Sequence, residues 1–281
     1  MVEARPVAEA PAPRKRRHLL LALGVVMLVT MLLVTAFGPW IAPYDAIATS
    51  PNSLAGPSAE HWLGTDSIGR DVLSRLIIGG RTTLLITFVA VSLAVAAGLV
   101  LGLVSGYVGG LADELIMRAL DIVFAFPVFL LAIAVVAALG PTVPNLILTI
   151  AIVYTPIMAR VVRAPVLSVK RWDHVEAARS VGVGELRIAI VHVLPMVVSP
   201  ILVQTSLTLA NTIFTVTALS FLGIGPPPPD PNWGGMLSEA RQFMELAPLT
   251  VIGPAAAIVF ATLTFIVLAN GLRDLLDVGS H

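Results

Sequence analysis

From Leu84 to Tyr107 the chain reads LLITFVAVSLAVAAGLVLGLVSGY, without a single charged side chain. A helix needs about 20 mostly apolar residues to cross the hydrocarbon of a bilayer. This stretch meets that length, and nothing in it favours water. Gly98, Gly102, Gly106 and Gly110 recur at four-residue intervals within and just beyond it, preceded by Ala90 and Ala94. Residues four apart share a helix face, so the spacing makes a stripe of small residues along which another backbone can come close. The stripe serves either packing within this chain or an interface with another subunit, and neither use carries chemistry.

Five more windows of the same kind lie outward from it, roughly Leu19–Trp40, Leu115–Leu139, Pro144–Leu167, Met196–Leu222 and Leu249–Leu272. The expectation is an all-α membrane protein with six transmembrane helices. Composition agrees: of 281 residues 57% are hydrophobic and 12% charged, against an apolar share of about 45–50% in soluble domains. One soluble core could not hide that much apolar surface. The formal net charge is zero, so no basic face asks for nucleic acid. With no cysteine in the chain, disulfides, thiolate metal sites and cysteine nucleophiles are all removed.

Basic residues collect on the cytoplasmic side of membrane proteins. The first window follows Arg14-Lys15-Arg16-Arg17, and the only other lysine, Lys170, sits after the fourth window. The apolar run is too long for a signal-peptide core and no clear small-x-small cleavage site follows, so it reads as a retained anchor. Six crossings then put both termini and the loop after span four inside, in agreement with Arg163, Arg171, Arg179, Arg187 and Arg273. Arg70, Arg75 and Arg81 fall outside. Their segment, 69–82, has apolar residues spaced like one helix face and reads as an interfacial amphipathic helix, the alternative being a loop with scattered arginines. The organisation expected is a disordered tail 1–18, an anchor 19–40, an extracytoplasmic segment 41–82, a five-helix core 83–274 with a loop 168–195, and a tail 275–281.

Inside the spans, Pro127, Pro156 and Pro254 each remove a backbone donor and tend to kink a helix. Arg118 and Asp121, three apart, can pair with each other. No acidic or histidine group is clearly placed at a midplane, where an ion-coupled carrier needs one. Span five carries neutral polar residues, among them Gln204, Thr208, Asn211 and Thr212. They are candidates for a translocation path and equally for interhelical fasteners.

The loop between spans four and five reads KRWDHVEAARSVGVGELRIAIVHVLP from Lys170 to Pro195. Asp173 followed by Glu176 fits a capping box, Ala177 and Ala178 extend a short helix, and Gly182 stands where a left-handed cap would end it. A rigid knob on such a loop can dock in a groove of a partner and carry motion into spans four and five. Glu176-Ala177-Ala178, Gly182 after three residues, and Leu194-Pro195 at the end resemble the EAA motif of ABC importer permeases. His192 departs from the isoleucine usual in that motif. The resemblance implies a type I ABC importer permease fold in which this loop is the cytoplasmic coupling helix. Asp173, Glu176, Ala177, Ala178, Arg179, Gly182, Leu194 and Pro195 would then face or frame an ATPase subunit.

Two further stretches narrow the family: His61-Trp-Leu-Gly-Thr-Asp66, Gly69-Arg70-Asp71 and Leu73-Ser74-Arg75, then Leu219-Ser-Phe-Leu-Gly-Ile-Gly225 with Pro228, Pro231, Trp233-Gly234 and Met236-Leu237. They resemble segments of the "C"-type permeases of dipeptide, oligopeptide and nickel importers. Asp66, Arg70, Asp71, Pro228 and Trp233 are thereby candidates for an extracytoplasmic contact. The run Pro226–Pro229 favours a stiff polyproline II segment, either a platform for an external partner or a rigid turn. The family implies a homologous permease as heterodimer partner, two ABC ATPase subunits, an extracytoplasmic substrate-binding protein and the lipid of the cell membrane. Dipeptides or short oligopeptides are the expected cargo, with nickel or another small solute as the alternative.

The chain has no phosphate-cradling Gly-x-x-x-x-Gly-Lys-Ser/Thr, no His-Glu-x-x-His and no Gly-x-Ser-x-Gly, so no catalytic or metal residue is expected. ATP and magnesium belong to the partner subunits, and this chain should bind no cofactor. An intramembrane Ser105–His192 pair and an ion-coupled carrier are the weaker rivals.

Overall fold

The computed structural model describes residues 14–276, and among these the regular structure is helical, with one isolated bridge between Thr65 and Asp71. Five helices are long and apolar enough to cross a membrane, or six if one bent pair counts as a single span. The residues expected in the two tails lie outside the described range, save that 14–18 form the first turns of helix α1 (Arg14–Ala36) and 275–276 the last of α11 (Leu249–Leu276).

α1 runs antiparallel to α11. A side chain added at Gly24 would stand 2.9 Å from the Leu268 Cα, and one at Gly271 would stand 2.6 Å from the Leu21 Cα. The first span is thus packed into the body of the chain at backbone distance. Its other face, with Leu23, Val26, Val29 and Leu33, is exposed and suited to lipid. A short helix, α2 (Gly38–Ile41), follows.

The central element is α3 (Val72–Val108), 37 residues without a break. At about 1.5 Å per residue it is about 55 Å long, well beyond a hydrocarbon layer of about 30 Å. The segment expected to be an interfacial helix leading into span two is the first part of α3, continuous with that span. Asp71 caps it, accepting from the Ser74 amide at 2.8 Å and its hydroxyl at 2.7 Å. Arg70 and Arg75 are buried rather than laid on a surface, because carboxylates meet them there; Arg81 alone of the three is exposed.

The glycine stripe packs within the chain, against α6 (Val143–Val169). A Cβ at Gly98 would lie 2.4 Å from the Met158 Cβ, and one at Gly102 would lie 2.4 Å from the Ala159 carbonyl oxygen. At Gly106 the nearest atom, the Val166 Cγ1, is at 2.9 Å. Gly110 leaves the stripe; it opens α4 (Gly110–Phe124) and nothing lies within 4 Å of its added Cβ.

The third expected span is broken. α4 and α5 (Val128–Leu139) meet at 87°. Pro127, with φ −54° and ψ 127°, has no amide to give α4 and holds the chain extended before α5 begins. The expected Arg118–Asp121 pair does not form. Arg118 lies on an exposed face and bonds Glu114 one turn earlier at 2.6 Å, the favourable acid-before-base order. Asp121 instead accepts from Arg160 of α6 at 2.5 Å.

After α6 come α7 (Asp173–Ser180), the single turn α8 (Glu185–Arg187), a π turn Ile188–Val193 and a 3₁₀ turn Leu194–Val197. α9 (Val198–Phe221), α10 (Trp233–Ala240) and α11 complete the chain. The segment before α10 is no straight polyproline II run: it turns, with a cis bond between Pro228 and Pro229.

Candidate functional site

Polar side chains gather at both ends of the bundle. At one end stands α7. Its N-cap is Trp172, with ψ 147° and no side-chain cap, so the expected capping box is absent. The helix begins one residue earlier than that box requires, which puts Asp173 inside the first turn with Glu176. There both carboxylates favour the positive end of the helix dipole. The C-terminus is closed as expected. The Val183 amide donates to the Ala178 carbonyl at 3.1 Å and the Gly182 amide to that of Arg179 at 3.0 Å. Gly182 has φ +82°, a conformation open to glycine at little cost.

α7 has two faces. Val175 is fully buried and Ala178 nearly so, packed with Val162, Val166, Ile188 and Val193 in one apolar cluster. Asp173, Glu176, Ala177, Arg179 and Ser180 are exposed. The two motif alanines therefore have different tasks, since adjacent helical residues point about 100° apart. Ala178 seats the helix on α6 and the π turn, and Ala177 stands in the open beside Glu176. Leu194 is half-buried and Pro195 exposed where the chain turns into α9.

Polar ties surround this seat. Arg179 donates to Glu185 from Nε at 2.8 Å and from Nη2 at 3.3 Å, and the Tyr107 hydroxyl of α3 donates to the same carboxylate. Lys170 caps the C-terminus of α3 through the Gly106 carbonyl at 2.6 Å. Arg163 forks onto Asp113 with two bonds of 2.6 Å, and Ser105 donates to Asp113 as well. Ser105 is thereby committed to a carboxylate and does not meet His192. Tyr107, Asp113 and Glu185 belong to no recognisable motif, and the Tyr107–Glu185 and Arg163–Asp113 pairs join residues distant in sequence.

At the opposite end, four of the five residues singled out in sequence for an external contact are interior. Asp66, Arg70, Asp71 and Trp233 are each at most 9% exposed, and only Pro228 is exposed. Arg70 donates to Asp66 at 2.6 Å and to Glu239 of α10 at 2.6 Å; Arg75 donates to Glu239 at 2.8 Å. Asp71 pairs with His61 at 2.9 Å. The Trp233 indole donates to the Leu76 carbonyl at 2.9 Å. These groups fasten the 61–75 segment, the start of α3 and α10 into one layer. Burial pushes the Glu239 carboxyl above the ordinary glutamate range, and the Arg70 guanidinium draws it part of the way back.

The polar residues of α9 divide. Thr208 and Thr212 are buried inside the chain, while Asn211 is exposed and Gln204 half-exposed, donating to Thr208 at 3.3 Å. Thr205, Thr215 and Thr217 bond the carbonyls one turn back, and Thr215 also meets Tyr154 at 2.9 Å. Among the described residues no group of three His, Asp or Glu side chains is gathered as metal ligands.

Comparison with known proteins follows the same outline. Residues 98–279 match the model of the binding-protein-dependent transport system inner membrane component, and 14–57 that of the N-terminal TM domain of oligopeptide transport permease C. The chain is 43% identical over 263 residues to a dipeptide transport system permease protein of Alkalihalophilus pseudofirmus, covering 93% of this chain and 86% of that one. It is 46% identical over 266 residues to a glutathione transport system permease protein of Shigella flexneri, covering 94% and 87%. A structure of the MetNI methionine ABC transporter in inward-facing conformations superposes with a TM-score of 0.58 at 18% identity, over 73% of this chain and 96% of that one. That likeness concerns the fold, which is that of a type I ABC importer permease.

Proposed function

The chain belongs to the family of binding-protein-dependent transport system inner membrane components, and on that premise we propose that α7 is the site where ATP hydrolysis in a separate subunit is turned into movement of the spans. The chain is a multi-pass membrane permease subunit of a peptide-type ABC importer. The finer assignment is a pore shared with a homologous permease, with two ATPase subunits on the α7 side and a substrate-binding protein on the α10 side. Both termini then lie in the cytoplasm. ATP and magnesium are held by the ATPases. The relatives transport dipeptides and glutathione by name, and short peptides are the cargo proposed here.

The observation that carries this reading is the construction of α7. Its outer face offers Glu176 and Ala177, its inner face is locked into the same apolar cluster as α6 and the entry to α9, and Gly182 fixes its end. A push on the outer face cannot be absorbed by a loose loop; it passes to α6 and α9. A rigid element shared by two sites and biased from both is what coupling requires. Exposed Asn211 and half-exposed Gln204 are proposed as the α9 groups that meet peptide, by hydrogen bonds without fixed charge, while Thr208 and Thr212 are buried against the rest of the chain.

The test is purification of the complex followed by uptake of a labelled dipeptide into proteoliposomes. ATP-dependent uptake that survives collapse of the proton and sodium gradients is expected. Uptake that follows an ion gradient, with no ATPase retained on purification, would refute the proposal.

A further inference from the structure

The covalent path from α7 leads only to α6 and α9, yet a second path is built at the same end. Tyr107, in the last turn of α3, donates to Glu185, and Arg179 of α7 holds the same carboxylate with two nitrogens. Glu185 is thus a hub between a helix that faces outward and a span that the loop does not join. Around the hub Leu103, Val104, Leu186 and Ala189 line a groove between α3 and the loop, so the space beneath the polar brace is open rather than filled. Packing at that point is thin, and the three side chains bridge it. Lys170, bonded to the Gly106 and Tyr107 carbonyls, fixes the same turn of α3 from the other side of the loop.

We propose that Tyr107, Glu185 and Arg179 are positioning residues for coupling: they brace α7 against α3, so that a push on α7 moves α3 together with α6 and α9. α3 then acts as one rod. Its far end is keyed by Arg75 to Glu239 of α10, and displacement at the α7 end reaches the α10 layer without passing through a loop. This rests on the docking role assigned to α7 and adds the element that receives the motion.

The experiment uses the full transporter with its partner subunits, their reactive cysteines replaced. This chain has none of its own, so Val108→Cys and Ser180→Cys, both exposed, give unique spin-label sites on α3 and α7. The expected distance distribution is narrow and the same with and without ATP–vanadate. In Tyr107→Phe with Glu185→Gln it should broaden and shift between the two states. Peptide moved per ATP hydrolysed should fall about fivefold or more, while the ATPase subunits still co-purify and hydrolyse ATP. A wild-type distance that changes with nucleotide, or variants indistinguishable from wild type, would overturn the brace and leave the docking role standing. Absence of ATPase subunits from the wild-type complex would overturn both.

Discussion

Gly102→Ala, the addition of one methyl group, should destabilise this protein, although alanine is the better helix former. The added carbon would stand 2.4 Å from the Ala159 carbonyl oxygen and 2.7 Å from the Val162 Cβ, where ordinary contact starts at 3.4 Å. The first neighbour is backbone and cannot swing aside, so α3 must retreat from α6 by about 1 Å, which forfeits much of the dispersion between the two helices. Gly98 and Gly106, packed on the same face, lose contact in the same step. Overpacking of this kind costs about 1–3 kcal/mol, and the gain in helix propensity returns about 1 kcal/mol. The net is a loss of up to about 2 kcal/mol, or up to about 4–8 °C in Tm. Gly253→Ala is the internal control, because its Cβ would meet only Leu76 and Leu63 side-chain ends at 3.8 and 3.9 Å. Thermal unfolding of the purified transporter, followed by size-exclusion chromatography after heating, should show Gly102→Ala falling and Gly253→Ala holding or rising. Equal melting of the two would refute the backbone-contact reasoning.

Gly182→Ala forces an alanine to φ +82°, at a cost of about 1–2 kcal/mol; ATP-driven uptake should drop while insertion into membranes, judged by blot of the membrane fraction, stays normal. Val175→Ala and Glu176→Ala should separate the two faces of α7. The buried valine should cost about 2 kcal/mol of stability, whereas the exposed glutamate should leave melting unchanged and weaken retention of the ATPase subunits on a purification column. Glu239 gives a pH dependence. Its carboxyl is raised in the folded state, so its contribution is whole below the value of an unfolded glutamate, about 4.3, and is lost as pH rises through the higher folded value. Amide exchange of α10, corrected for the intrinsic rate, should show easier opening across that window, and Glu239→Gln should flatten the curve; protection that grows with pH would contradict this.

Hydropathy was a sufficient guide to the long spans because their lipid faces demand unbroken apolar runs, and α3, α6, α9 and α11 lie where those runs are. It failed at Pro127. Pro156 and Pro254 sit inside continuous helices, so proline alone does not foretell a break; at Pro127 a ψ of 127° carries the chain out of the helix and α5 sets off at 87° to α4. The end of α7 was readable from Gly182 because a positive φ leaves a residue-type signature. Its start was not, because Asp173 is as favourable in a first turn as at a cap. The α10 layer was the least legible. Arg70 and Glu239 are 169 positions apart, and no local pattern announces which arginine a distant carboxylate will meet. That is why residues read from motifs as surface contacts, Asp66, Arg70, Asp71 and Trp233, are interior fasteners.

The same layer has an electrical consequence. Arg70 and Arg75 carry two positive charges, Asp66 and Glu239 two negative ones, all within one set of contacts of 3.2 Å or less. Such a quartet has no monopole, and its higher moments fade within a Debye length of about 8 Å in physiological salt. A zwitterion drifting past this layer would feel neither pull nor rejection from the quartet. Ionic strength should therefore leave the influence of this quartet on an approaching solute nearly unchanged.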